Sequence, residues 1–439
     1  MRFVIETLGC KVNQYESQAM ASLLEARGHA PCAEGETADC IIVNTCAVTA
    51  ESGRKSRQAV RRLQHRHPGA FTAVCGCYSQ IAGGELDGLG AGLIGGSGSR
   101  LEFVDRLEQL VSDRGSGTPL LDDPMARRTF ETLPAGSAEG RTRAMLKIQD
   151  GCVNFCTYCI IPYARGPVRS MPLADVRDQA ARLAAGGFRE IVVTGIEISS
   201  YGKERKDGTS LIDALEIMAE AAPGVRLHLG SLEPRTVTEE FCRRLAALPA
   251  VCSHFHLSLQ SGCDETLKRM RRKYGTARFL ESVDLLREHF PNCGITTDLI
   301  AGFPGETEEE FARTMDFIRR CRFSAMHVFP YSRRPGTPAA DMPDQVPKAE
   351  KQRRAALAAA AGREMAAAFA SDQVGRTLDV LFETEKDGVW TGHSGNYLET
   401  SVRGDRLRGR ILPVLVTGSS GTLLAGQLAE TPKTSEENA

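Results

Sequence analysis

Gly151-Cys152-Val153-Asn154-Phe155-Cys156-Thr157-Tyr158-Cys159 decides how the rest of this chain is read. Its three thiols stand in a C-x3-C-x2-C pattern directly after a β-prone run, Ala144–Gln149. Three thiolates leave one of zinc's four tetrahedral positions unfilled, unless a remote histidine completes the site. They suit three irons of a four-iron cubane and leave the fourth iron open. An open iron is a Lewis acid able to chelate a substrate's amino and carboxylate groups. The run before the cluster opens a strand–helix rhythm. Further strands are predicted at Glu190–Thr194, Arg226–Gly230, His254–Leu259, Ile295–Ile300 and Ala325–Phe329. Helices are predicted between them, at Leu173–Ala185, Leu211–Ala222, Thr236–Leu248, Ala277–His289 and Glu308–Cys321. Six such units predict a partial β/α barrel of the TIM type, with its reactive residues past the C-terminal strand ends. The cysteine cluster sits on that rim. An Ala-rich basic helix, Lys348–Ala370, closes the block.

Upstream, Arg2–Thr7, Cys40–Asn44 and Phe71–Cys75 read as strands, alternating with helical Gln14–Ala26 and Ala50–His65. This predicts a parallel sheet with helices on its faces. Thr7-Leu8-Gly9-Cys10, Asn44-Thr45-Cys46 and Cys75-Gly76-Cys77 each fall just past a strand end. Three remote thiols thus meet at one sheet edge, the crevice where open α/β sheets bind ligands. Buried structural cysteines would give the same pattern. Cys75 and Cys77 share a face if the strand continues, so spacing alone leaves the third thiol open. Gly88-Leu89-Gly90-Ala91-Gly92 has no clear strand before it and reads as loop.

Downstream, five short strands are predicted at Arg376–Phe382, Val389–Gly392, Tyr397–Val402, Arg410–Val416 and Thr422–Leu428, which suggests a small barrel. Between two of them runs Arg403-Gly404-Asp405-Arg406-Leu407-Arg408-Gly409-Arg410. On a strand, Arg406, Arg408 and Arg410 would share one face, suited to phosphates. The blocks divide the chain into 1–113, a linker 114–140, then 141–370, 371–432 and a polar tail 433–439. Across its 439 residues, 54 Lys+Arg against 55 Asp+Glu give a net charge of −1. Nucleic-acid binding must therefore rest on local patches. Arg54–Arg66, Lys268–Lys273 and Lys348–Arg354 are further basic runs, whose default reading is a solvated helix face. With 42% hydrophobic and 25% charged residues the composition is that of a globular chain, not a disordered one. No run of about 18 apolar residues predicts a membrane span. The absence of a secretory leader and the 14 cysteines point to a reducing, cytoplasmic setting, with thiols free, catalytic or metal-bound.

The cluster motif resembles that of radical S-adenosylmethionine (radical SAM) enzymes, whose pattern maps onto Cys152, Cys156 and Cys159 without departure. The resemblance implies a 4Fe-4S cluster whose open iron binds the methionyl part of S-adenosylmethionine. One electron from the cluster then cleaves the sulfonium to a 5′-deoxyadenosyl radical. It implies that Tyr158, before the third cysteine, faces the adenine. Gly195, in Val193-Thr194-Gly195-Ile196-Glu197, takes the place of the family's segment that receives the methionine amino group, without its paired glycines. Glu233, Ser258 and Asp298 follow or end later strands, and either bind cofactor or satisfy loop backbone groups.

Thr-Leu-Gly-Cys, Asn-Thr-Cys and Gly-Cys-x-x-Gln, followed by that cluster, resemble the methylthiotransferase subfamily. The likeness runs on through Phe303-Pro304-Gly305-Glu306-Thr307 and Tyr331-Ser332-x-Arg334-x-Gly336-Thr337. It implies a second 4Fe-4S cluster on Cys10, Cys46 and Cys77, and a C-terminal TRAM barrel that binds RNA. It also implies a tRNA substrate and an electron donor such as flavodoxin or ferredoxin. Lys11-Val12-Asn13-Gln14-Tyr15-Glu16-Ser17 and Pro162-Tyr163-Ala164-Arg165-Gly166-Pro167-Val168-Arg169-Ser170 resemble the branch that acts on threonylcarbamoyladenosine beside the anticodon. That substrate carries a carboxylate, for which Arg165 and Arg169 are the candidate cations, unless they contact phosphate or brace the cluster loop. The rival branches act on isopentenyladenosine or on a ribosomal-protein aspartate. A rival of another class is a non-catalytic iron–sulfur RNA-binding module.

Overall fold

The computed structural model describes residues 1–113, 115–135 and 141–429. The polar tail expected at 433–439 and parts of the linker lie outside them. The first sheet contains β1 (Arg2–Thr7), β2 (Ala30–Pro31), β3 (Cys40–Thr45), β4 (Phe71–Gly76) and β5 (Leu93–Ile94). Its order is β2-β1-β3-β4-β5, with every pair parallel. Alternation sorts the side chains. Phe3, Ile42 and Ala73 pack under α1 (Lys11–Ala26) and α4 (Arg100–Asp113), with Met20, Leu24 and Phe103. Ile41, Val43 and Val74 pack with Val60 and Leu63 of α2 (Ala50–Arg66). α3 (Cys77–Ile81) follows β4 directly. The order reverses between β1 and β3, and such a switch point opens a crevice at the C-terminal strand ends. Cys10 follows β1, Cys46 follows β3 and Cys77 follows β4. The described part of the linker packs on the first block. Leu133 is buried, and the Tyr15 hydroxyl of α1 donates to its carbonyl at 2.9 Å.

The central block is a six-stranded partial barrel. β6 (Arg143–Asp150), β8 (Glu190–Gly195) and β9 (Arg226–Leu229) run parallel, with β7 (Arg169–Ser170) antiparallel on the β6 edge. β10 (His254–Gln260), β11 (Gly294–Ala301) and β12 (Ala325–Pro330) form a second parallel set. Parallel bridges Leu227–Val251 and Leu232–Leu257 join the sets. α5 (Ile161–Arg165) packs against α3 of the first block, and outside the barrel lie α6 (Leu173–Ala185), α7 (Leu211–Ala221), α8 (Glu239–Ala246), α9 (Asp264–Arg269), α10 (Thr276–His289) and α11 (Glu308–Cys321). α12 (Lys348–Ser371) runs along β12, and its small residues Ala358, Ala361 and Gly362 let the two backbones approach. Its Arg354, expected on a solvated face, is instead buried and donates to the Glu306 carboxylate at 2.8 Å.

The third block is a closed barrel of β13 (Thr377–Lys386), β14 (Val389–Ser394), β15 (Glu399–Arg403), β16 (Ile411–Ser420) and β17 (Leu423–Leu428). It docks on the base of the central barrel, at the N-terminal strand ends. Arg143 pairs with Glu383 at 2.8 Å, and the Asn396 side chain donates to the Asn292 carbonyl at 3.3 Å. Tyr397 stacks on His254 with ring centroids 4.8 Å apart and meets the His228 edge at 4.5 Å. The arginine run does not continue a strand. Residues 404–410 form an irregular turn, Arg406 has φ +51°, and Leu407 is tucked into the small barrel's core. Arg406, Arg408 and Arg410 are exposed, but strand alternation does not order them on one face.

Glu190 anchors the base. Its buried carboxylate takes Arg226 at 2.6 Å and His228 at 3.2 Å. These partners outweigh burial and lower its pKa to about 2. A depressed carboxylate contributes stability above its unfolded pKa of about 4, and loses it as pH falls toward its folded value. Chemical denaturation should therefore show stability declining from about pH 4 to about pH 2. Glu190→Gln should cost about 3 kcal/mol at pH 7 and flatten that decline. An unchanged slope in the variant would place the acid sensitivity elsewhere.

Candidate active site

The radical loop starts where Gly151 turns the chain out of β6 at φ +76°. A Cβ there would lie 1.8 Å from the Pro167 carbonyl oxygen, so only glycine fits. The Cys152 amide donates to the Gly166 carbonyl at 3.0 Å and the Cys159 amide to the Cys156 carbonyl at 2.9 Å. Thr157 ties the loop across the barrel: its amide donates to the Met270 carbonyl at 3.1 Å, and its hydroxyl to the Arg269 carbonyl at 2.9 Å. Burial pushes the Cys152 thiol up to about 11 and the Cys159 thiol up to about 12. Metal binding at these thiols must therefore release protons. Arg272 donates to the Cys156 sulfur at 3.2 Å. It sits in the Lys268–Lys273 run that the sequence assigns to a solvated face. It is instead packed over the Tyr274 ring at 4.7 Å and is a site residue that charge counting missed.

The residues expected around this loop fall in three kinds of place. Tyr158 is half-buried and meets Phe303 edge-on at 6.4 Å, forming one wall of the site. Gly195 ends β8 with no room for a side chain: a Cβ would lie 2.8 Å from the Gln149 carbonyl oxygen. Gln149 also receives the Glu197 amide at 2.8 Å and donates to the Gly151 carbonyl at 2.7 Å, so it joins the two rim turns. At this turn the free acceptor belongs to Glu197. One carboxylate oxygen takes the Ser200 hydroxyl, and the other is buried with no partner among the described residues. Glu233 is buried and its carboxylate is held by Arg235 at 2.8 Å. Ser258 offers its carbonyl to the Tyr274 hydroxyl. Asp298 faces His256 at 3.3 Å.

The second set of thiols is brought together by tertiary structure. Asn13, on the first turn of α1, donates to the Leu8 carbonyl at 2.8 Å and the Thr45 carbonyl at 2.9 Å, which ties the Cys10 and Cys46 loops. Gly9, at φ +104°, lies so close that a Cβ would be 2.8 Å from the Cys46 sulfur. Cys10 senses the charge of Cys46, Cys46 that of Cys77, and Cys77 that of Cys10. Cys75 and Cys77 do not share a face. β4 ends at Gly76, whose φ of +110° breaks the alternation, and Cys77 begins α3. Cys75 is left in the opposite core, with Phe103 and Leu107. A zinc ion with bonds of about 2.3 Å needs sulfurs about 3.8 Å apart. Among the described residues neither triad gathers all three sulfurs within 4.8 Å, a spread that suits a larger cluster better than one ion.

Arg165 connects the two triads. It ends α5, just past Cys159, and its Nε donates to the Cys77 sulfur at 3.1 Å. Its other nitrogens serve Asn13 at 2.9 Å and both oxygens of Glu16. Glu16 also holds Arg100 at 2.9 Å and Lys147 at 3.0 Å, and these cations keep its carboxyl well below the usual range. Arg169 is buried, pairs with Asp150 at 3.4 Å and donates to the Arg165 and Pro167 carbonyls. Arg165 and Arg169, expected either to meet a substrate carboxylate or to contact phosphate or brace the cluster loop, thus donate to groups of the protein itself. Arg165 is 0% exposed and both guanidinium groups are engaged within the protein, so they brace the site.

Comparison with known proteins agrees with this architecture. Residues 146–318 match the Radical SAM superfamily, and residues 2–91 match the Uncharacterized protein family UPF0004. Over 93% of its length the chain is 37% identical to the threonylcarbamoyladenosine tRNA methylthiotransferase MtaB of Bacillus subtilis, covering 92% of that protein. The MtaB protein of Thermotoga maritima is 36% identical, over 92% of both chains. A tRNA-2-methylthio-N(6)-dimethylallyladenosine synthase of Symbiobacterium thermophilum is 33% identical, over 99% of this chain and 95% of that one. Among solved structures, the radical S-adenosylmethionine methyltransferase TsrM of Kitasatospora setae shares the fold, with a TM-score of 0.54 at 17% identity, over 88% of this chain and 79% of that one. With a cysteine loop on a barrel rim, a thiol crevice beside it and relatives that span nearly the whole length, the chain belongs to the radical SAM methylthiotransferase family.

Proposed function

We propose that the enzyme adds a methylthio group to C2 of N6-threonylcarbamoyladenosine, next to the anticodon of tRNA, with two 4Fe-4S clusters and S-adenosylmethionine. The observation that carries the two-cluster part is the path from one triad to the other: α5 leaves the radical loop and ends at Arg165 on the Cys77 sulfur. Two thiol triads on adjoining edges fit a reaction that needs both a radical source and a sulfur carrier near one substrate. In this reading Cys152, Cys156 and Cys159 hold the first cluster, and Cys10, Cys46 and Cys77 the second. When bound, these groups would supply one-electron reductive chemistry toward S-adenosylmethionine at the first triad and a site for the sulfur at the second.

The chain's own groups do the rest. The unpartnered oxygen of Glu197 is the acceptor for the amino group of the methionyl part, beside Cys152, whose thiol senses its charge. Tyr158 and Phe303 give the site an aromatic wall. An aromatic C–H is too weakly acidic for a side-chain base, so no acid–base dyad is assigned. Exposed Arg406, Arg408 and Arg410 of the C-terminal barrel, and Lys55 and Arg61 of α2, offer cations for the RNA backbone. The choice of nucleoside rests on the relatives. Those named for threonylcarbamoyladenosine reach 37% and 36% identity, above the 33% of one named for dimethylallyladenosine.

The triads are separable by mutation. Replacing Cys152, Cys156 and Cys159 with alanine should remove about half the iron and abolish reductive cleavage of S-adenosylmethionine, measured as 5′-deoxyadenosine. Cleavage that survives would defeat this placement. Replacing Cys10, Cys46 and Cys77 should leave cleavage in place and eliminate methylthiolated product. Cys75→Ala should keep both clusters, and loss of iron in that variant alone would make Cys75 a ligand. For the substrate, reconstituted enzyme is offered tRNAs carrying threonylcarbamoyladenosine or isopentenyladenosine, and nucleosides are read by mass spectrometry. Product from the first is expected; preference for the second, or for a ribosomal protein, would overturn the branch while sparing the chemistry.

A further inference from the structure

The charged groups around the two triads differ. Beside the second triad lies a buried assembly of Arg100, Lys147, Arg165 and Arg169 whose buried anions, among the described residues, are Glu16 and Asp150. Four cations face two carboxylates, so two positive charges are in excess, and every one of these side chains is at most 9% exposed. Arg334 adds to it. It is buried, its Nη1 donates to the Thr49 carbonyl at 2.9 Å, its Nε has no partner among the described residues, and it senses the charge of Cys46. Beside the first triad, Arg272 on Cys156 is offset by the Glu197 carboxylate near Cys152, and Glu233 is matched by Arg235. Excess buried charge of one sign needs a counter-charge in the same low-dielectric space. The groups at hand are the Cys10, Cys46 and Cys77 sulfurs, one of which already accepts the Arg165 hydrogen bond.

We propose that Arg165 is a positioning residue for the second cluster: its hydrogen bond to the Cys77 sulfur, with the net positive assembly behind it, makes that cluster the easier of the two to reduce. The inference rests on the two-cluster reading above. Its physical basis is general. A hydrogen bond to a ligating sulfur and nearby positive charge both stabilise the added electron, and so raise the reduction potential. Burial increases the effect, because a charge interaction in a low-dielectric interior is far less screened than in water. At the first triad the guanidinium hydrogen bond, from Arg272 to the Cys156 sulfur, comes without surplus buried positive charge.

The test is a redox titration of reconstituted full-length protein, followed by low-temperature electron paramagnetic resonance. The variant with alanine at 152, 156 and 159 isolates the second cluster, and the one with alanine at 10, 46 and 77 isolates the first. The second cluster should have the higher midpoint. In the first of these backgrounds Arg165→Gln should shift the midpoint down. Arg165→Lys, which keeps the charge without the Nε geometry, should recover part of the shift. If Arg165→Gln does not retain iron, Arg169→Gln decides: it removes one charge without touching Cys77 and should lower the midpoint by a smaller step. A midpoint that stays unchanged in the variant that holds iron, or a second cluster harder to reduce than the first, overturns the inference. Absence of any cluster from the 152/156/159 variant would instead overturn the two-cluster reading.

Discussion

One guanidinium group governs how the first two blocks meet. Arg165 is fully buried and donates to Cys77, Asn13 and Glu16 of the first block, with a longer contact of 3.5 Å to Asp150 of its own block. Such a charge is tolerable in the interior only when each donor is satisfied. The relative position of the two blocks is therefore set by hydrogen-bond geometry, not by apolar contact alone. Asn13 shows the consequence. The same side chain that accepts from Arg165 also ties the loops of Cys10 and Cys46, so the thiol crevice and the block interface form as one unit.

The central barrel keeps its two ends apart. At the base, Glu190, Arg226, His228 and Tyr397 lock the C-terminal barrel beneath the strands. At the rim, the loops after β6 and β8 are joined by Gln149 and braced by Thr157 from across the barrel. The rim loops are thus positioned by hydrogen bonds between side chains and backbone groups of the barrel. The thiols they carry remain buried enough that ligand binding is coupled to proton release.

Charge runs proved to be mixtures. Arg272 lies in a run with exposed neighbours yet reaches the Cys156 sulfur, and Arg354 of the α12 run closes on Glu306. In both cases a helix or turn presents adjacent positions to opposite environments, so the run divides between solvent and core. The arginines at 406, 408 and 410 differ again. Their spacing suggests a strand, but φ +51° at Arg406 turns the chain so that only Leu407 points inward.

The sequence by itself determined the block order, the strand–helix rhythm and the thiols at strand ends, because these depend on local periodicity and on turns at fixed offsets. Leu173–Ala185 and Glu308–Cys321 are helices from end to end as read, since their apolar spacing lies within the segment and the adjoining residues, Pro172 and Gly186 for one and the Thr307 cap for the other, mark the ends. Only tertiary structure separates Cys75 from Cys77 in space, because one positive φ at Gly76, which strand periodicity does not contain, sends them to different sides. It also shows where the donors of Arg165 go. A buried arginine beside the cluster loop has the same sequence signature as one that binds a carboxylate. Only the arrival of Glu16, Asn13 and Cys77 from positions 88 to 152 residues earlier shows that its donors are already taken.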